Sequence, residues 1–295
     1  MRMTIRAGPV LFRTLFLTLL LALPWAAAAS GAGTVTADAP VYQFSPVNQY
    51  NLKLSAGFWN PIVRYVSDKS GVRLNLKIGR TSADTTSFVL AREVDFAFTN
   101  HLFSPERAKL GWTVFARPDR APVHGQIVVA FDSPARSLAD LAGGTVVFSG
   151  PEAVLAYQIP HAELLRRQHK VNVVFAGNMD AAFAQLFSGR AMAAGAHSQL
   201  ARRYGAREDK AFRVLWTSPP LNDLALMASP RVPRQHVQAV ADAFLNMGRD
   251  PEGRRILANA SALVRASEPL SFVAATEADY DAYRRFHDAA PATPR

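Results

Sequence analysis

The stretch from Asp132 to Pro160, DSPARSLADLAGGTVVFSGPEAVLAYQIP, constrains the fold more than any other part of the chain. Ser137 to Leu141 reads as a short helical turn, and Gly143-Gly144 stops it with two residues free to take positive φ. Thr145-Val146-Val147-Phe148 follows, β-branched and apolar without alternation, as expected of a strand covered on both faces. Ser149-Gly150-Pro151-Glu152 then turns the chain into a helix, because proline suits the first turn and glutamate complements the positive end of the helix dipole. The result is a strand, a tight loop and a helix N-terminus. In open α/β sheets that junction lies at the carboxyl end of the strand, where free backbone N–H groups face ligands, although many such turns are only connections.

The first residues carry a different signal. Arg2, Arg6 and Arg13 precede an apolar run from Leu15 to Leu23, and Pro24-Trp25 breaks it before Ala26-Ala27-Ala28-Ala29. This is the pattern of a secretory signal peptide over residues 1–29, too short in its apolar part for the ~20 residues that span a bilayer. Export to the periplasm is expected, as a soluble protein once the leader is cut. With no cysteine in the chain, there is no lipid-attachment thiol, disulfide framework or thiol chemistry. The leader holds three arginines and no acids, so its removal lowers the net charge from +10 to +7. The basic clusters Arg166-Arg167 and Arg202-Arg203 read as partners of helix C-termini, and export argues against a nucleic-acid partner.

Strand and helix patterns alternate through the rest of the chain. Val41 to Phe44 is a strand. Leu54, Phe58, Ile62, Tyr65 and Val66 recur at helical spacing, with Pro61 predicting a kink or break. Leu74 to Gly79, Asp95 to Phe98, Trp112 to Ala116, Gln126 to Phe131 and Asn172 to Phe175 read as further strands. Thr81 to Asp84 offers an N-cap, Asn178-Met179-Asp180 starts a helix with Ala182, Phe183, Leu186 and Phe187 on one face, and Pro160 predicts a bend. Repeated βα units favour mostly parallel sheets flanked by helices.

Several local runs, in order, are VDFAF (Val94 to Phe98), SLADLAGGTVVF (Ser137 to Phe148), FAGNMDAAFAQLFSGRAMAA (Phe175 to Ala194) and VLWTSPPLNDLALMASPRVP (Val214 to Pro233). Their order and spacing, from about Val41 to Phe286, resemble the periplasmic substrate-binding proteins of phosphate, phosphite and phosphonate ABC transporters. The resemblance implies a two-lobed type II periplasmic-binding-protein fold, each lobe a mostly parallel sheet with helices. Residues 40–124 and 220–290 would form lobe 1, residues 125–219 lobe 2, and the ligand would lie between them. The crossings would lie near Pro122 to Gly125 and near Thr217 to Asn222, with Pro219-Pro220 a stiff hinge. The family's oxyanion cradle of small hydroxyl residues falls on Ala153, Val154 and Leu155, so its side-chain donors are replaced. A pocket histidine of the family corresponds to Asn178, an aromatic to Thr99, and an acidic position to Leu224 or, shifted by one, Asp223. Glu152, at the same helix end, would repel an anion or itself occupy the backbone N–H groups. An altered specificity is the consequence.

Asn48, Thr99, Asn100, His101, Ser149, Gly150, Asn178 and His197 all fall at or just past predicted strand ends, where one cleft would collect them together with Glu152. Each also has a plain structural reading; Asn178 in particular suits the N-cap of its helix. No nucleophile elbow, zinc-binding His pair or phosphate loop is present, so catalysis, cofactor and metal are not expected. The expected activity is capture of a small polar or anionic ligand by a monomeric protein that delivers it to an ABC transporter permease. The alternative is a periplasmic ligand-sensing or interaction protein that works with a membrane sensor kinase.

Overall fold

Residues 40–290 are described in the computed structural model; the leader expected at residues 1–29 lies outside them. The chain begins with β1 (Val41–Pro46), helix α1 (Leu52–Ser70), β2 (Arg73–Leu76), α2 (Asp84–Leu90), β3 (Phe96–Thr99), the single turn α3 (Pro105–Ala108) and β4 (Thr113–Pro118). It then crosses to β5 (Gly125–Ala130), β6 (Thr145–Phe148), α4 (Ile159–Arg166), β7 (Asn172–Phe175), α5 (Met179–Phe187), β8 (Ala193–His197), α6 (Ser198–Glu208) and β9 (Phe212–Thr217). It returns for β10 (Ala225–Ala228), α7 (Arg234–Asn246), α8 (Pro251–Leu263), β11 (Phe272–Ala274) and α9 (Asp281–Ala289).

Two sheets result, one ordered β11-β4-β10-β3-β1-β2 and the other β7-β6-β8-β5-β9. The first takes its strands from residues 41–118 and 225–274, the second from residues 125–217. Where the chain passes between them, Val123 and Leu221 exchange two backbone hydrogen bonds of 2.7 and 2.8 Å, tying the outward and return segments together.

The pairing is mixed, which corrects the mostly parallel sheets expected. β1 is parallel to β2 and β3, and β6 to β7 and β8. The strand that follows each crossing enters the interior of its sheet against the local direction. β10 runs antiparallel to β3 and β4, and β5 runs antiparallel to β8 and β9. Periodicity within a segment carries no information about that reversal.

Local chemistry explains the elements around the interlobe space. α1 starts at Asn51, whose Oδ1 accepts the Leu54 N–H at 3.1 Å, and it runs unbroken through Pro61. The proline sits on the exposed face, at the cost of one helical hydrogen bond. On the opposite face Phe58, Trp59, Ile62 and Val66 are buried, with the Trp59 ring 5.2 Å from Phe44 and 5.0 Å from Phe98. In β6, Val146, Val147 and Phe148 are fully buried, each contributing roughly 1.5–3 kcal/mol.

After β6 the chain makes a π-helical turn over Val154–Gln158 before α4 begins. The Ile159 N–H bonds back to the Val154 carbonyl, a five-residue step that absorbs the donor missing at Pro160. This turn lies directly on the sheet. A Cβ at Gly195 of β8 would fall 2.3 Å from the Ala156 carbonyl oxygen, and one at Gly125 of β5 2.5 Å from that of Leu155. Two glycines in neighbouring strands therefore let the backbone of residues 154–156 settle against the sheet.

A candidate ligand-binding cleft between the lobes

The turn at Val154 begins without a cap. Ala153 has an extended backbone and no side-chain oxygen to offer, and the N–H groups of Val154, Leu155 and Ala156 meet no acceptor among the described residues. Three adjacent buried donors at a helix start are the arrangement in which an external acceptor is stabilised. Those residues line a cavity of about 40 Å³ between the two sheets, room for roughly three waters.

Across the cavity lies Ser82, in the loop that leaves β2. Asp84 organises this loop by accepting the Arg80 and Thr81 N–H groups at 2.6 and 3.0 Å and the Thr81 hydroxyl at 2.7 Å. Burial alone would raise the Asp84 carboxyl, but these hydrogen bonds hold it below its ordinary value. Ser82 is left with a buried hydroxyl that has no partner among the described residues. Its N–H donates to the Gly177 carbonyl at 2.7 Å, which joins the lobes. A Cβ at Gly150 would sit 2.6 Å from the Ser82 Oγ, so glycine there is what lets the two loops meet.

Further bonds hold the lobes together. Asp180 accepts from the Asn51 backbone and side chain at 3.1 and 3.3 Å, and Arg203 donates to the Tyr50 hydroxyl at 2.6 Å. Arg107, in α3, pairs with Glu152 and also donates to the His101 carbonyl at 2.9 Å. Burial would raise the Glu152 carboxyl, yet the Arg107 hydrogen bond and charge, helped by His101 and His287, hold it below the usual range. Glu152 therefore faces Arg107 and leaves the helix amides free. The expected blocking of these amides is not what the geometry shows.

The residues singled out in the sequence divide into two groups. Asn48, Asn100, His101, Ser149 and His197 line the cavity; Thr99, Gly150, Glu152 and Asn178 do not. Asn48 is fully engaged, its Nδ2 donating to the Gly79 and Arg80 carbonyls and its Oδ1 accepting from Ser55 at 2.6 Å. Asn100 donates to the Tyr283 hydroxyl at 3.1 Å. The Thr99 hydroxyl accepts the His101 N–H, and the Asn178 Oδ1 accepts the Ala181 N–H as the cap of α5. Ser149 makes no side-chain hydrogen bond to described residues. Sequence reasoning passes over Ser82, although its position at the end of a strand is the criterion that selected the others.

Electrostatics set the character of the space. No Lys, Arg, Asp or Glu lines it among the described residues. Burial pushes the His101 imidazole down to about 4, with Glu152 and Arg107 opposing one another, so it is neutral at pH 7. Its Nδ1 is 3.0 Å from the Thr86 hydroxyl, and Nε2 has no partner among the described residues. At the other end His197 accepts the Gln199 N–H on Nδ1, which leaves the proton on Nε2 to be donated to Asp223 at 3.1 Å. Burial would raise Asp223, but His197 and the Leu224 N–H hold it low. Leu224 lines the cavity itself.

The family model for the periplasmic substrate-binding protein of the phosphonate ABC transporter matches residues 46–280. The chain belongs to this family. Its members are periplasmic proteins that bind small molecules and deliver them to transporter permeases, rather than enzymes. Among solved structures it is similar to a binding-protein component of an ABC phosphonate transporter from Pseudomonas aeruginosa, with TM-score 0.69 and 16% identity over 82% of this chain and 83% of that one. It is also similar to PhnD1 from Prochlorococcus marinus in complex with methylphosphonate, with TM-score 0.68 and 15% identity over 82% and 95% of the two chains. At such identity these structures establish the two-lobed type II fold. No curated protein matches the chain in sequence. Among the described residues no helix is long and apolar enough to cross a membrane.

Proposed function

We propose that this family member is exported on its leader and captures one small polar or anionic molecule between its lobes for an ABC transporter. The lobes would be residues 40–124 with 220–290 and residues 125–219, hinged at the paired crossings. One observation carries the reading: three uncapped amides, Val154 to Ala156, face a cavity that also holds the unpartnered Ser82 hydroxyl of the opposite lobe. Ser149 and the free Nε2 of His101 complete a neutral set suited to a compact acceptor group.

Specificity follows from what is missing. Hydrogen bonds to a charged group contribute roughly 1.5–3 kcal/mol each, and Ala153, Val154 and Leu155 bring no hydroxyls. Methylphosphonate is expected to bind at about millimolar concentration, and the physiological ligand at least about a hundredfold tighter. Native mass spectrometry of the purified protein should reveal that ligand, and calorimetry ranks it against methylphosphonate. Gly150→Val, which drives a side chain into Ser82, should weaken the co-purified ligand about a hundredfold or more with little change in melting temperature. Micromolar methylphosphonate binding would sink the altered specificity. An unaffected Gly150→Val variant would remove the ligand from this cleft.

A further inference from the structure

A second space lies beside the first, and it has the opposite character. A groove of about 500 Å³ is lined by Arg120 and Arg265 from one lobe and by Arg202 and Arg203 from the other, with Glu268 as its one acidic residue. Arg120 follows β4, two residues before the first crossing, and Arg265 and Glu268 follow α8. Arg202 and Arg203 lie on α6, the helix capped by His197 of the cleft. Arg120 and Arg203 also line a small cavity that shares Val47 and Gln49 with the cleft, so the two spaces adjoin.

The guanidinium groups in this groove lack the carboxylate partner that six other arginines have. Arg107, Arg166, Arg167, Arg207, Arg231 and Arg284 each bond a carboxylate. Arg120, Arg202, Arg203 and Arg265 bond none among the described residues. Arg203 has only neutral acceptors, the Tyr50 hydroxyl and Gln199 Oε1. The Nη2 of Arg120 is buried and has no partner among the described residues. Four cations gathered from two lobes repel one another as the lobes meet, and guanidinium groups without a carboxylate are open to an oxyanion.

We propose that this groove is a second anion site, taking a small molecule with two or more phosphate or carboxylate groups, and that by bridging the lobes the anion favours their closure. Its volume falls within the range of small-molecule sites, and the fork of each guanidinium matches a phosphate or carboxylate edge. The site is distinct from the one at the helix amides, and its binding free energy adds to closure only because both lobes contribute to it.

Calorimetry with pyrophosphate at 150 mM salt tests the proposal on the full mature chain. Wild type should bind one equivalent, and Arg202→Gln/Arg265→Asn should weaken it by about tenfold or more. Both positions are exposed, and asparagine tolerates the positive φ of Arg265, so the fold is retained. Ser149→Asp, which places a carboxylate in the cleft, should weaken pyrophosphate less than the groove variant does. The control Lys53→Gln/Arg64→Gln removes the same charge from α1 and should have little effect. Small-angle scattering should show a smaller radius of gyration with pyrophosphate than without. The groove site is overturned if pyrophosphate fails to bind, if Ser149→Asp abolishes binding while the groove variant does not, or if the α1 control weakens binding equally. Binding without compaction overturns the bridging role. Binding only of an acidic protein surface, with none of pyrophosphate, overturns the small-molecule assignment.

Discussion

Two βα junctions of the same lobe, one after β6 and one after β7, have the same topology and opposite chemistry. After β7 the polar side chains turn to protein partners: Asn178 caps α5 and Asp180 binds Asn51 and Arg207, while the Gly177 carbonyl accepts from Ser82. After β6 the cap position is Ala153, three amides are free, and Ser149 has no side-chain partner among the described residues. A polar residue at a strand end is therefore a poor guide to where a ligand sits, since Asn178 satisfies its own helix. The apolar run Ala153-Val154-Leu155 marks the open ground, because nothing in it can cap.

The largest effect expected from this contrast is on His101, which lies in the other lobe and lines the cavity of the open junction. Its imidazole is held near 4 by burial, against an ordinary 6.5, with Glu152 raising it and Arg107 lowering it. The unfolded chain therefore binds a proton that the folded protein refuses. Stability from this group is complete above about pH 6.5 and falls as the pH drops toward 4, by about 2–3 kcal/mol at pH 4.5. Urea unfolding of wild type and His101→Gln at pH 7 and pH 4.5 measures it, and the variant should lose that much less. Equal losses in the two proteins would mean that the cavity is wet and the junction is not closed.

A smaller pair of effects sets the two caps against each other. Asn178→Ala should cost about 1 kcal/mol of stability and leave ligand affinity unchanged, because that side chain serves only α5. Ala153→Asp should do the reverse: its carboxylate can cap the free amides, adding about 0.5–1 kcal/mol of stability while excluding the ligand. Thermal melts and calorimetry on the two variants decide the matter. Loss of ligand in Asn178→Ala, or retention in Ala153→Asp, would erase the distinction between the junctions.

The sequence made the open junction legible as an element and obscure as a site. Thr145 to Phe148 is a buried strand because its residues are β-branched and unalternated, and Pro151 and Glu152 mark the turn that follows. α8 is harder to read: Asp250 caps it by accepting the Gly253 N–H, yet Ile256, Leu257 and Ala260 stand among arginines and polar residues, leaving only a thin apolar stripe. Strand direction in β5 and β10 depends on the crossings and has no local signature. Within the site, Asn48 and Thr99 have the right residue type and position but are engaged by neighbours distant in sequence or by the backbone. Ser82 is free because Asp84 takes over the hydrogen bonds of its loop, a consequence of packing that residue type alone does not reveal.

The smallest effect concerns Glu152, whose charge distinguishes the open junction from an ordinary anion cradle. Because Arg107 holds it ionised, the pair is neutral together, and the side chains keep 25% and 20% of their exposure, so the pair is partly screened by water. Glu152→Gln removes the negative partner and leaves an unbalanced guanidinium near the cavity, with no change at the helix amides. Affinity for an anionic ligand should rise about two- to fivefold at low ionic strength and return toward wild type in 1 M salt, where the screening length is about 3 Å. Calorimetry with methylphosphonate at both ionic strengths measures this. A fall in affinity would show that the Arg107–Glu152 pair acts chiefly as a clasp between the lobes, and that its contribution to closure exceeds the repulsion it imposes on the ligand.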